Sequence, residues 1–299
     1  MTTPPRQHGY TGCVRSTWKT FPYLLQRSLV ASANDNCFSI AKGAAYSALL
    51  SFFPVLTSAA AILLETNAKF VLDSIEGLLA QVVPPGTEDV VMRQFQARGT
   101  RPVAVLAVAA LVSVWAASSV FKSLMEGFQA AYRVPRSRNF WQNTGVAILL
   151  VLITAAPLVA ASALLLFGTQ VENLVLGWMK VDPLWNPWAW AWELAGRVGR
   201  YAVAFATTIL TTMLLYYFGP NRKQRFAALL PGAVLATLLW MAATSGFGWY
   251  VRHVAHYNVM YGSVGASIAL IIWMYLVAAI ALLGCEYNAE NERLNSAGV

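Results

Sequence analysis

The chain has 299 residues, 58% hydrophobic and 11% charged, with a net charge of +8. Soluble domains carry about 25% charged residues, so this composition excludes an ordinary water-soluble globule. A mean hydropathy of +0.53 and several apolar runs near the ~20 residues that cross a bilayer point to an all-α, polytopic membrane protein. In such a protein the basic excess reads as loop charge beside anionic headgroups, not as a nucleic-acid surface, so membrane lipids are the expected partners.

In chain order, residues 1–42 read as a cytoplasmic N-terminal segment. They lack the continuous apolar stretch and small-residue cleavage site of a secretory signal. WKTFPYLLQRSLVAS, from Trp18, reads as a basic amphipathic helix on the membrane interface. Residues 43–285 hold six expected spans: Gly43–Leu64, Pro102–Phe121, Gly145–Gly168, Gly199–Phe218, Ala227–Gly248 and Gly262–Cys285. Residues 286–299 read as a short cytoplasmic tail.

The segments between spans carry their own patterns. AKFVLDSIEGLLAQVV, from Ala68, sets Val71, Leu72, Ile75, Leu78, Leu79 and Val82 on one helical face, as in an amphipathic helix on the outer membrane surface. Pro84–Gly86 ends it, and Thr87 is placed to start a second short helix. The tryptophans at 178, 185, 188, 190 and 192 suit an interfacial aromatic belt, with an aromatic cage as the sharper alternative.

Lysine and arginine set the orientation. With the N-terminus inside, the inner loops hold 13 of the 21 basic residues and the outer loops 8. PNRKQRF, between the fourth and fifth spans, is the densest inner loop. Both termini are therefore expected in the cytoplasm, with the bacterial inner membrane as the location.

Chemistry-bearing motifs are sparse. Cys13, Cys37 and Cys285 are odd in number and scattered, with no CxxC spacing. HVAH, at His253–His256, puts two imidazoles at i and i+3, yet no cysteine or carboxylate lies near it in sequence. No Walker loop, GxSxG elbow or HExxH is present. Catalysis, a metal and a cofactor are therefore not expected.

Polar groups at membrane depth are the better lead, because lipid burial of such groups is costly unless they face a cavity or a partner. The first span offers Lys42, Tyr46 and Ser51, and Pro54 deprives the Leu50 carbonyl of its helical partner. The kink opens a polar pocket or is packed over by a neighbour. The second span ends with Lys122 and Glu126 at i and i+4, then Arg133. An ion pair is the plain reading and a gate the sharper one. Thr207–Thr212 offers hydroxyls that tend to bond back to their own helix, and Pro157 marks an expected bend in the third span.

The closing stretch YGSVGASIALIIWMYLVAAIALLGCEYNAE, Tyr261–Glu290, reads as the sixth span, with small-xxx-small pairs at Ser263/Ser267 and Gly265/Ala269 for close packing. Glu286 falls near its inner end, either solvated, paired with a loop arginine, or lining an inner gate with Asn288.

These stretches carry a resemblance. AAYSALLSFFP at Ala44–Pro54, FQAAYRVPRSRNFW at Phe128–Trp141, FGPNRKQRFAALLPGAVLATLLW at Phe218–Trp240 and the stretch Tyr261–Ala289 resemble the YihY/BrkB family of bacterial inner-membrane proteins, sometimes labelled ribonuclease BN. The family's usual ending resembles LLGAELNA. Here Cys285 and Tyr287 replace a small and an aliphatic residue, while Gly284, Glu286, Asn288 and Ala289 fit. The resemblance implies a six-span protein with cytoplasmic ends, but no catalytic or ligand residues.

Two functional readings follow. The first is a transporter or exporter of a small solute, ion or lipid-derived molecule, using Lys42, Tyr46, Ser51, Pro54, Glu126, Arg133, Glu286 and Asn288 as its path or inner gate. The second is a non-transporting envelope scaffold that binds a partner through its outer segments. A membrane nuclease is a distant third. Oligomer formation stays open.

Overall fold

The computed structural model describes residues 21–65, 103–135, 138–178, 189–253 and 263–296. The described residues form seven α-helices and one 3₁₀ turn, and no strand occurs among them. They are α1 (Phe21–Asn34), α2 (Cys37–Glu65), α3 (Val103–Ala131), α4 (Phe140–Trp178), α5 (Ala189–Phe218), α6 (Leu230–His253) and α7 (Ser263–Ser296), with the 3₁₀ turn Phe226–Leu229 before α6. The amphipathic segment from Ala68, most of the Trp-rich segment, and His256 of the HVAH pair lie outside the described residues.

Six helices are long and apolar enough to cross a bilayer: Cys37–Leu56, Ala107–Ala131, Phe140–Ala161, Gly196–Phe218, Phe226–Val251 and Ser267–Ser296. Each overlaps one span expected from the sequence. Their most apolar windows bury only 17–33% of their residues. The remainder, including Leu111, Trp115, Val159 and Tyr201, presents the apolar exterior that lipid demands of a spanning helix.

Small residues let the helices approach closely. Ala41 and Ala44 of α2, Ala131 of α3, Ala233 and Ala236 of α6 and Ala278 of α7 share a buried cluster with Phe128, Tyr216 and Leu282. Phe128 and Tyr216 meet edge to face, with centroids 5.5 Å apart. The tightest crossing is α6 against α7. A Cβ on Gly232 would stand 2.1 Å from the Gly284 carbonyl, and one on Gly284 would stand 2.5 Å from the Tyr216 hydroxyl. Tyr216 donates that hydroxyl to the Ala281 carbonyl at 2.7 Å, tying α5 to the same place.

The proline in α2 is packed over by its neighbour. Ser113 of α3 places its Oγ 2.7 Å from the Pro54 carbonyl and 2.6 Å from Ser58 Oγ, so α3 supplies polar partners beside the proline. On α5, Thr208, Thr211 and Thr212 each donate to a carbonyl one turn earlier, which keeps their hydroxyls satisfied in the helix.

α1 buries Leu24, Ser28, Ala31 and Ser32 along one face. Leu24 packs with Leu235 and Tyr287, while Tyr23, Leu29 and Val30 stay exposed. The last helix does not stop near Cys285. It continues to Ser296, because the polar residues of its last turns find partners on the surrounding helices.

Candidate functional site

One end of the bundle gathers a cluster of charged groups. Arg27 comes from α1, Arg133 from the corner after α3, Arg222 from the turn after α5, and Glu286, Glu290, Glu292 and Arg293 from α7. The spacing of 286, 290 and 293 puts Glu286, Glu290 and Arg293 on one face of α7. Glu286 is fully buried, at 0% exposure, and accepts from Arg293 Nη1 at 3.3 Å. Its other oxygen, Oε2, has no hydrogen-bond partner among the described residues.

Arg293 joins α7 to α3. It donates to Glu286 and to Glu290 on its own helix, and its Nη2 donates to the Ala131 carbonyl at the end of α3. That last bond satisfies one of the carbonyls that any helix end leaves open. Glu290, also buried, accepts in addition from Arg27 Nε of α1. Hydrogen bonds with Tyr23 and Glu290 raise the Arg27 pKa above its ordinary value. Pairing of this kind is what makes buried carboxylates tolerable.

The opposite face of α7 has a different task. Asn288, 3% exposed, accepts from the Gly232 N–H at 2.8 Å and donates to the Leu229 carbonyl at 3.0 Å. Gly232 lies in the first turn of α6, where helical N–H groups lack intrahelical partners. Asn288 is therefore a cap for α6 supplied by another helix. One turn on, Glu292 pairs with Arg222, whose guanidinium lies 4.6 Å from the Tyr132 ring centroid. Burial pushes the Tyr132 phenol well above its ordinary range, so the ring stays neutral beneath the cation.

The corner after α3 is unusual. Arg133 N–H donates to Ala130 and Val134 N–H to Gln129, both at 2.9 Å, with Arg133 at φ 52°. This is the Schellman closure, whose left-handed position usually takes glycine. A side chain there costs roughly 1–2 kcal/mol. Arg133 lines an open cleft of about 400 Å³ that Arg27 and Glu290 also line.

The expected path residues thus separate into groups. Glu286 and Arg133 belong to the charged end, and Asn288 lies on the other side of the same helix. Ser51 is buried and bonds back to Ala48, while Pro54 meets α3. Lys42, Tyr46 and Glu126 are exposed, and Lys122 lies 5.3 Å from the Phe140 ring centroid. Glu290, Arg293 and Arg27 were not singled out from the sequence, although the i, i+4, i+7 spacing from Glu286 was there to read. Among the described residues no group of His, Cys, Asp or Glu is placed to hold a metal ion.

Sequence comparison agrees with this architecture. Residues 29–298 match the family described as Virulence factor BrkB. The chain belongs to that family. Among its relatives, the ribonuclease-like protein YfkH of Bacillus subtilis is 29% identical over 251 residues, covering 82% of this chain and 86% of its own. A UPF0761 membrane protein of Vibrio vulnificus is 25% identical over 278 residues, covering 88% and 80%. Another, from Tolumonas auensis, is 29% identical over 157 residues, covering 52% and 47%. No solved structure matches the chain. This BrkB family member is a multi-pass membrane protein, and the charged end, apart from Arg27, lies within the matched region.

Proposed function

We propose that the protein is a bacterial inner-membrane transporter or exporter of a small solute, ion or lipid-derived molecule, with the charged end facing the cytoplasm. The observation that carries this reading is Glu286: a carboxylate at 0% exposure, near the end of a spanning helix, with one oxygen lacking a partner among the described residues. Ionisable groups buried in spanning segments are costly and commonly serve ion or substrate pathways. Arg293 holds Glu286 and Glu290 against the end of α3, which closes this mouth. Release of Arg293 from Glu286 frees the carboxylate for a proton or cation, while Arg133 offers a positive charge to an anionic group. Lys42, Tyr46 and Glu126 remain candidates for the inner part of that path.

Glu286→Gln in proteoliposomes tests this. The expected result is lost flux at normal abundance and stability. Undiminished flux through the variant, or no flux by the native chain across a broad panel of ions, lipids and solutes, would overturn the proposal. The second reading, a non-transporting scaffold, draws support from the way Arg293 and Asn288 fasten helix ends together. It predicts that Glu286→Gln acts only through abundance, and that a partner is captured through the outer segments. Catalysis is no part of either reading.

A further inference from the structure

We infer that the cleft between α1 and the ends of α3 and α7 binds a phosphate-bearing group, of the kind carried by an anionic phospholipid headgroup or a soluble phosphate ester. At about 400 Å³ it falls within the ~300–1,000 Å³ of small-ligand pockets. Tyr23, Gln26, Arg27 and Asn34 of α1 line it together with Arg133 and Glu290.

The donor balance selects an anion. Glu290 is the only acidic residue on the wall among the described residues, its side chain is 5% exposed, and its two oxygens already accept from Arg27 and Arg293. Arg27 spends Nε on Glu290 yet keeps 42% exposure, and a guanidinium has five N–H donors. Arg133 adds a second guanidinium, and Gln26 and Asn34 add amide donors. Planar guanidinium forks match phosphate oxygens in paired hydrogen bonds. Val30 and Ala31 complete the lining with apolar surface, which suits the glycerol portion of a headgroup.

The backbone supplies an independent observation. Arg133 occupies a left-handed position at φ 52° where glycine would be easier. Strain retained at one position on the wall of a cleft points to a task for that side chain. The site requires no transport, so it stands or falls apart from the flux experiment.

The test uses the full chain in phosphatidylcholine nanodiscs, with and without phosphatidylglycerol, and native mass spectrometry of the lipids retained. A parallel arm titrates glycerol 3-phosphate into pure phosphatidylcholine nanodiscs and reads thermal stabilisation. Arg133→Gly and Arg133→Gln are expected to lose about tenfold or more in one arm, the order of one charge-assisted contact. Arg133→Gly should do so while unfolding at the same or a higher temperature, which separates binding from folding. Loss in the lipid arm assigns a headgroup, and loss in the titration assigns a soluble ester. Lys223→Gln, in the basic turn outside the cleft, should match the native chain. Equal retention by both Arg133 variants in both arms, or an equal loss in Lys223→Gln, would overturn the site.

Discussion

Asn288→Ala separates a structural role from a gating one. The native side chain joins the Gly232 N–H at 2.8 Å and the Leu229 carbonyl at 3.0 Å, and both residues are buried. Truncation leaves one buried donor and one buried acceptor without these bonds, each costing about 1–3 kcal/mol. The Leu229 carbonyl keeps a second lone pair, so a total of roughly 2–4 kcal/mol is expected. Asn288→Asp retains an acceptor for Gly232, at a helix N-terminus that favours negative charge, but loses the donor to Leu229, so it should fall between. The assay is the fraction of detergent-solubilised protein that stays monodisperse after heating, together with a denaturant titration. Unchanged stability of Asn288→Ala with lost activity would refute the cap and return Asn288 to the gate.

Gly284→Ala should destabilise by about 1–3 kcal/mol, because its Cβ would lie 2.7 Å from the Gly232 carbonyl and 2.8 Å from Ala236 Cβ; thermal unfolding in detergent checks it. Tyr216→Phe keeps the ring against Phe128 but removes the bond to Ala281, so a loss of about 1 kcal/mol is expected in the same assay. Arg293→Gln removes a shared partner of Glu286 and Glu290. Breaking a buried pair typically costs about 3–5 kcal/mol, and the lower end is expected because Arg293 is 26% exposed. Adding Glu286→Gln to that variant should recover part of the loss in a double-mutant cycle, and strict additivity would count against the pair.

The spans were legible because lipid enforces composition: no soluble core needs six such apolar runs, and each expected span overlaps an observed one. The caps and pairs were legible only in part. Thr208, Thr211 and Thr212 bond within their own helix, as local chemistry suggests. Pro54 marked a break in hydrogen bonding, but the serine packed beside it, Ser113, lies 59 residues away. The same limit hid the partner of Asn288, since Gly232 is 56 residues distant. Glu286 was noticed for its burial cost. Its own-helix partner Arg293 was counted only as loop charge, because residues 286–299 read as a tail. Composition marks where apolar helix ends in a sequence, but it does not mark where helix ends when neighbouring helices supply the polar partners.

That continuation of α7 explains how one segment can hold the whole charged end together. Glu286, Glu290 and Arg293 recur at the spacing of a single helix face, directed to α1 and α3. Asn288 and Glu292, four residues apart, form a second face, directed to the start of α6 and to the turn after α5. A two-residue offset puts these stripes on opposite sides, so the helix end is a wedge between two parts of the bundle. Movement of this wedge necessarily alters both sets of contacts. The two sides differ in kind, however. Asn288 makes neutral, short-range bonds to backbone beside a glycine crossing that tolerates no displacement by a side chain. The Glu286 side consists of charges whose pairing can be exchanged for a proton, a cation or an anionic ligand. If the end opens, the physical asymmetry directs the opening to the α1–α3 side, with the Asn288 side as the hinge.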